Sequence, residues 1–169
     1  MLSKLFFKII EKLMLQIISS SRPIRDEVIK LCDLYYKKNS LSVYRVWGAA
    51  DRLFLGEGVQ ANNAIFNTSS GKISIGDYAF FGHCVTLLTG THDINKKDAE
   101  RQRGVPDCGR DICIGNGVWI ASNVTIVGPC TIGAHAVIGA GSVVLGDVPA
   151  GAFYAGVPAC EVKKIIFNN

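Results

Sequence analysis

Residues 114–149 read IGNGVW IASNVT IVGPCT IGAHAV IGAGSV VLGDVP. An aliphatic residue stands at Ile114, Ile120, Ile126, Ile132, Ile138 and Val144, six apart without a slip. A second small or apolar residue follows each by four places: Val118, Val124, Cys130, Ala136, Ser142 and Val148. Six successive matches to a two-position template mark a repeat, and this period is a signature of parallel β-helices. Each hexad makes a short strand and a turn, one flat face. Three hexads make a triangular coil, so residues eighteen apart stack. Ile114 is expected on Ile132, Ile120 on Ile138 and Ile126 on Val144, as aliphatic ladders inside a prism. Gly115, Gly133 and Gly139 follow inward residues, at corners expected to be crowded and to need an unusual backbone conformation.

Towards the N-terminus, Leu55-Gly56-Glu57-Gly58-Val59 fits the hexad, with Ala61 and Asn67 in phase. The phase shifts by two residues near 69–72, a corner insertion, and resumes with Ile75, Phe81 and Leu87. It breaks off at His92. Residues 93–111 are polar and aperiodic, with five basic and five acidic side chains. So long an excursion from a regular solenoid is expected to be a functional loop. Apolar residues at 2, 5, 6, 9, 10, 13, 14 and 17 make one face of a helix, and a second helix is predicted from about 25 to 38. The chain therefore divides into an N-terminal helical segment (1–52), a β-helix with its excursion loop (53–149), and a C-terminal loop with a short helix (150–169). The fold class is mainly β. A coil alone buries little, so the ends need caps. The N-terminal helices and the tail 161–167 are the candidates.

The chain has 169 residues, 49% hydrophobic and 19% charged, which fits one folded domain with an appendage. Of the net +4, residues 1–47 carry +5 (nine Lys/Arg against four Asp/Glu) and the remainder −1. Lys8, Glu11 and Lys12 interrupt the apolar run of 1–18, so neither a signal core nor a bilayer span is read there. The plain reading of this basic amphipathic stretch is a cap or packing element. The sharper one is a helix on the inner face of the membrane, making peripheral contact through 1–18. Six cysteines form no CxxC pair, and Cys84 and Cys130 fall within repeats as small buried apolar residues. A reduced, cytoplasmic protein is the reading that follows. Between 114 and 149 the only charged side chain is Asp147. Outer faces so poor in charge suit packing between prisms, so a homo-oligomer is expected, most simply threefold. No nucleic-acid-binding motif is present.

The motifs Ile114-Gly115-Asn116-Gly117-Val118-Trp119-Ile120, Ile132-Gly133 through Ile138-Gly139-Ala140-Gly141-Ser142, and Ala155-Gly156-Val157-Pro158-Ala159 resemble the hexapeptide-repeat acyltransferases with a left-handed parallel β-helix. The resemblance covers roughly 55–167. It is strongest to the branch of galactoside, maltose and streptogramin acetyltransferases and surface-polysaccharide O-acetyltransferases. Left-handedness comes from the resemblance alone, since the general crossover preference is right-handed.

The resemblance implies acetyl-CoA as cosubstrate, no metal, a homotrimer and a saccharide or small-molecule acceptor. It makes His92, at the repeat break in Thr89-Gly90-Thr91-His92-Asp93, the catalytic general base. A neutral imidazole, with an ordinary pKa of about 6.5, suits that work near neutrality. Asp93 is a candidate to hold the ring, although adjacent side chains on an extended backbone point apart and a carbonyl would serve as well. Asn62 and Asn63 are candidates to bind the acceptor, Asn63 slightly favoured, against a plain turn role for asparagine. Trp119 is read as a face-packing residue bordering the acceptor pocket. Ser122, Ala140 and Gly141 are the cofactor candidates on the prism, with Lys163 and Lys164 for the phosphates. Family members commonly place a basic residue where this chain has Cys160. His83 and His135 are read as corner residues. With His92 they do not reproduce the spacing of the zinc-binding carbonic anhydrases that share this prism. The implied activity is acetyl transfer to a sugar hydroxyl, in capsule or lipopolysaccharide synthesis. Antibiotic acetylation, amino-sugar N-acetylation and a non-catalytic scaffold are the alternatives.

Overall fold

The computed structural model describes residues 12, 15, 16, 18–39 and 43–168, and the chain falls into two units, 1–40 and 41–169. In the first unit, residues 12, 15, 16 and 18–20 are helical and α1 runs from Arg22 to Asn39. Pro23 sits in its first turn, where a missing N–H costs nothing. Most of the amphipathic stretch 2–18 lies outside the described residues. Among the described residues no helix is long and apolar enough to cross a membrane.

The second unit is a three-sided coil of short strands. One face stacks β1 (Arg45–Trp47), β3 (Ile65–Asn67), β6 (Thr86–Leu88), β9 (Thr125–Val127) and β12 (Val143–Val144). The second stacks β2 (Leu53–Leu55), β4 (Ile73–Ile75), β7 (Ile112–Ile114) and β10 (Cys130–Ile132). The third holds β5 (Phe80–Phe81), β8 (Trp119–Ile120), β11 (Val137–Ile138), β13 (Ala152–Gly156) and β14 (Ala159–Lys164). Each pairing is parallel except β13 with β14. The prism begins at β1, ahead of the expected boundary at 53, because Val46 already registers on Phe66.

The inward ladders are those the repeat dictates. Leu55, Ile75, Ile114 and Ile132 stack in one, Phe81, Ile120 and Ile138 in the next, and Leu87, Ile126 and Val144 in the third. The four-place partners Val118, Val124, Cys130, Ala136, Ser142 and Val148 are all buried. Each fully buried aliphatic side chain contributes about 1.5–3 kcal/mol, and this column is the core.

Four expectations are corrected. Phe66, not Asn67, is the inward residue of the first coil. The turn before it enters the left-handed region at Asn62 (φ 45°), one residue after inward Ala61, which shortens that side by a residue. Elsewhere the left-handed residue comes three places after the inward one, as at Tyr78, Cys84, Gly117, Asn123, His135 and Gly141. The unusual backbone is therefore there and not at Gly115, Gly133 or Gly139. Those glycines answer to crowding alone: a Cβ on Gly115 would meet the backbone nitrogen of Ala134 at 2.6 Å. Cys84 occupies one of these corners and is exposed, whereas Cys130 is buried. The C-terminal segment forms β14, not a short helix, because the outer edge of β13 leaves backbone groups that a strand can pair. The tail then closes the prism. Ile165 donates its N–H to the Gly151 carbonyl at 2.7 Å, and the Phe167 ring meets His135 edge-on at 5.7 Å.

Candidate active site on two edges of the prism

The excursion leaves the prism from a buried polar knot. Thr68, Ser70 and Thr89 are fully buried, and each is satisfied. Thr68 Oγ1 donates to the Ala49 carbonyl (2.9 Å). Thr89 Oγ1 donates to the Asn67 carbonyl (2.8 Å) and accepts from the Ser70 amide (3.1 Å). Ser70 Oγ accepts from the Thr91 amide at 3.3 Å, which fixes the backbone one residue before His92. The return strand is fixed as firmly. The Arg110 amide donates to the Ser70 carbonyl (3.2 Å), and its backbone packs against Gly71 and Gly128, where any Cβ would collide. Arg52 Nη1 ties the descending arm by donating to the Asp107 carbonyl at 2.7 Å.

Within the excursion lies α2 (Asp98–Arg103), a helix absent from the sequence expectation. Its first turn carries Asp98 and Glu100 and its last Arg101 and Arg103, the charge order that a helix dipole favours. That order was the available signal. The Arg101 carbonyl, near the C-terminal end of α2, lies 2.9 Å from His92 Nδ1. A carbonyl only accepts, so in the neutral ring Nδ1 carries the proton and Nε2 presents its lone pair. Asp93 does not hold the ring. Its Oδ1 accepts from the Asn95 amide (3.0 Å), and its own amide donates to the Gly104 carbonyl (2.8 Å). The Arg101 side chain braces the same loop, with Nε donating to the Lys96 carbonyl (2.6 Å) and Nη2 to the Ile94 carbonyl (3.1 Å). Exposed His92 thus lines an open concavity of about 570 Å³ with Thr91, Asp93, Lys96, Val105 and Arg110.

The other candidates gather on a different edge, between the third face and the first. Ser122 Oγ accepts from the His83 amide (3.1 Å), and the Ser122 carbonyl accepts from the Gly141 amide (3.0 Å). Ser122, Ala140 and Gly141 are therefore one column. Asn62 and Asn63 lie lower on the same edge, both engaged in turn stacking. Asn62 Nδ2 donates to the Phe81 carbonyl (2.5 Å), and Asn63 Oδ1 accepts from the Cys84 amide (2.8 Å). Beside this edge an apolar groove of about 530 Å³ is lined by Trp119, Val137, Gly139, Ala140, Phe153 and Lys163. Trp119 stacks on Phe80 (5.9 Å, 12°) and lines this groove, not the concavity around His92. Successive strand residues point to opposite faces, so Lys163 enters the groove while Lys164 does not line it. In the 139–141 turn the Gly139 and Gly141 amides donate to the Tyr154 and Ser122 carbonyls, and among the described residues the Ala140 amide has no partner. His83, His92 and His135 stand on three different edges, so within one prism they do not converge.

Residues 114–146 match the family model described as bacterial transferase hexapeptide (six repeats). The chain belongs to the hexapeptide-repeat family. It is 33% identical over 123 residues to galactoside O-acetyltransferase of Escherichia coli K12, covering 73% of this chain and 58% of that protein. It is 31% identical over 118 residues to a putative lipopolysaccharide biosynthesis O-acetyltransferase of the same strain, covering 66% of this chain and 60% of that one. Among solved structures it resembles a galactoside acetyltransferase in complex with coenzyme A. That match has a TM-score of 0.62 and 31% identity, over 74% of this chain and 63% of that one. The fold is thus the left-handed parallel β-helix expected from the motifs. The chain spans little more than half the length of the first of these curated relatives.

Proposed function

We propose that the chain is an acetyl-CoA-dependent O-acetyltransferase acting on a sugar hydroxyl, in surface-polysaccharide synthesis at the cytoplasmic side of the membrane. The observation that carries this reading is the bond from His92 Nδ1–H to the Arg101 carbonyl, which leaves a basic nitrogen at the mouth of a concavity. Similarity to a galactoside and a putative lipopolysaccharide O-acetyltransferase supports the sugar.

The apolar groove suits the thin arm of coenzyme A. Small Gly139 and Ala140 leave backbone within reach, Phe153 and Trp119 supply aromatic lining, and Lys163 brings a cation for phosphate. Cys160 is exposed and brings none, so Lys163 replaces the basic residue usual at that position. Bound acetyl-CoA would supply an activated acyl group as its thioester. His92 Nε2 takes the proton of the acceptor hydroxyl as its oxygen becomes nucleophilic. Of the 139–141 turn the Ala140 amide is the donor left over after the Gly139 and Gly141 amides are bonded, and in this reading it steadies the oxyanion.

The first face lies between the His92 edge and the Ser122–Ala140 edge. A complete site needs the His92 edge of one prism against the Ala140 edge of a neighbour, as in a homotrimer. The faces support this: Ile65, Phe80, Trp119 and Leu145 are exposed.

The test is thiol release from acetyl-CoA with a panel of sugars, nucleotide sugars and streptogramins. His92→Ala is expected to lower kcat/KM by about 10²–10⁴-fold; equal turnover would sink the proposed base. Turnover with streptogramins alone would replace the sugar reading. His92→Ala and Gly141→Trp, each inactive alone, are expected to regain activity when co-assembled. No regain would remove the shared site.

A further inference from the structure

Resting on the reading of His92 as the base, we infer that the acceptor carries a negative charge, a carboxylate or phosphate on the sugar, and that Lys96 and Arg110 receive it. Both side chains line the concavity that contains His92. Two cations face one carboxylate there, Asp93, and that carboxylate already accepts from the Asn95 amide. Among the described residues the one ion pair is Arg25 with Asp26, so neither Lys96 nor Arg110 is within salt-bridge distance of an acid. Unpaired cations in a recess bind anions more strongly than on an open surface, because the walls exclude part of the solvent screening.

Arg110 is preorganised for this. Its backbone is held by the Ser70 carbonyl and by close packing on Gly71 and Gly128. Its Nε donates to the Thr89 carbonyl at 2.9 Å, and Thr89 is fully buried. One nitrogen is thereby spent on fixing the guanidinium plane, and the terminal Nη groups keep their donors. Planar paired donors match carboxylate and phosphate oxygens. Lys96 adds a point charge to the same lining, on a residue whose carbonyl is braced by Arg101. A neutral sugar would leave both cations unanswered.

The test reads binding, so its result stands whether or not acetyl transfer is found. Calorimetric titration of the full-length protein would compare glucuronate, galacturonate, N-acetylneuraminate and glucose 6-phosphate with their neutral counterparts. At least one acid is expected to bind measurably tighter than its neutral partner, with affinity falling as salt rises. Lys96→Gln and Arg110→Gln are each expected to weaken that acid by about tenfold and to leave the neutral sugar unchanged. Arg110→Lys, which keeps the charge and removes the fork, separates a folding defect from lost recognition and is expected to fall between. No acid bound above its neutral partner, or unchanged binding in both Gln variants, overturns the proposal. So does weaker binding of coenzyme A with no change for the acids, which would assign the two cations to its phosphates.

Discussion

Arg101→Ala separates two roles that one residue performs. The backbone carbonyl that orients His92 survives the substitution, while the two guanidinium contacts to the Lys96 and Ile94 carbonyls are lost. A hydrogen bond from a charged donor contributes about 1.5–3 kcal/mol. Arg101 is exposed and solvent competes for both contacts, so each falls below that range, near 1 kcal/mol, and the pair together is expected to hold the loop by about 2 kcal/mol. If His92 works only while α2 is docked, kcat/KM should fall measurably, by at most about thirtyfold, each 1.36 kcal/mol being tenfold. The core is untouched, so the thermal midpoint should barely move. Hydrogen exchange should quicken for the loop amides and not for the strands. Nitrogen shifts of the His92 ring should show Nδ1 protonated in the wild type and a mixture of tautomers in the variant. Faster loop exchange with unchanged kcat/KM and an unchanged tautomer would show that α2 does not position His92, and the reasoning would fail.

Other consequences are independent of the chemistry. Ile126→Ala removes a fully buried ladder residue and should cost about 2–5 kcal/mol in urea unfolding, with an unchanged m-value. Gly141→Ala meets no atom within 4 Å and should cost only the positive-φ penalty, about 1 kcal/mol. Gly115→Ala should cost more, because its Cβ would meet the Ala134 backbone; a reversed order would refute the crowding account. Burial, with Asp147 nearby, pushes the Cys130 thiol up from 9.0 to about 12. The neutral thiol is the native form, so this contribution to stability is complete below pH 9 and is lost as pH rises towards 12. Alkylation of the native protein at pH 8 should label Cys84, Cys113 and Cys160 and spare Cys130, read by peptide mass.

What the sequence made legible was whatever repeats. From Ile75 onwards the inward ladders could be read off residue by residue, because one aliphatic every six places has one solution. Phe66 was hidden because the turn at Asn62 is a residue short, and a fixed period cannot report a local deletion. The strand β14 was hidden because its reason, the unpaired edge of β13, exists only after the prism is built. That His92 stands where the chain leaves the prism was legible from the repeat break. Lys96, Arg101 and Arg110 were not, since a loop without periodicity does not say which of its charges end up facing inward. Nor does residue type alone reveal that the Asn62 and Asn63 side chains each bond to the coil stacked on their turn.

The column Ser122–Ala140 rises one coil at a time, and neighbouring strands are spaced about 4.8 Å apart. His92 departs from the coil below Ser122. The prism is therefore a ruler laid between the two halves of the proposed site. Inserting one eighteen-residue coil between β9 and β10 would leave every ladder in register and slide Ala140 along the axis by about 4.8 Å relative to His92. Reach along the groove can thus change in fixed steps, by gain of whole coils, without a single new contact having to be invented in the core.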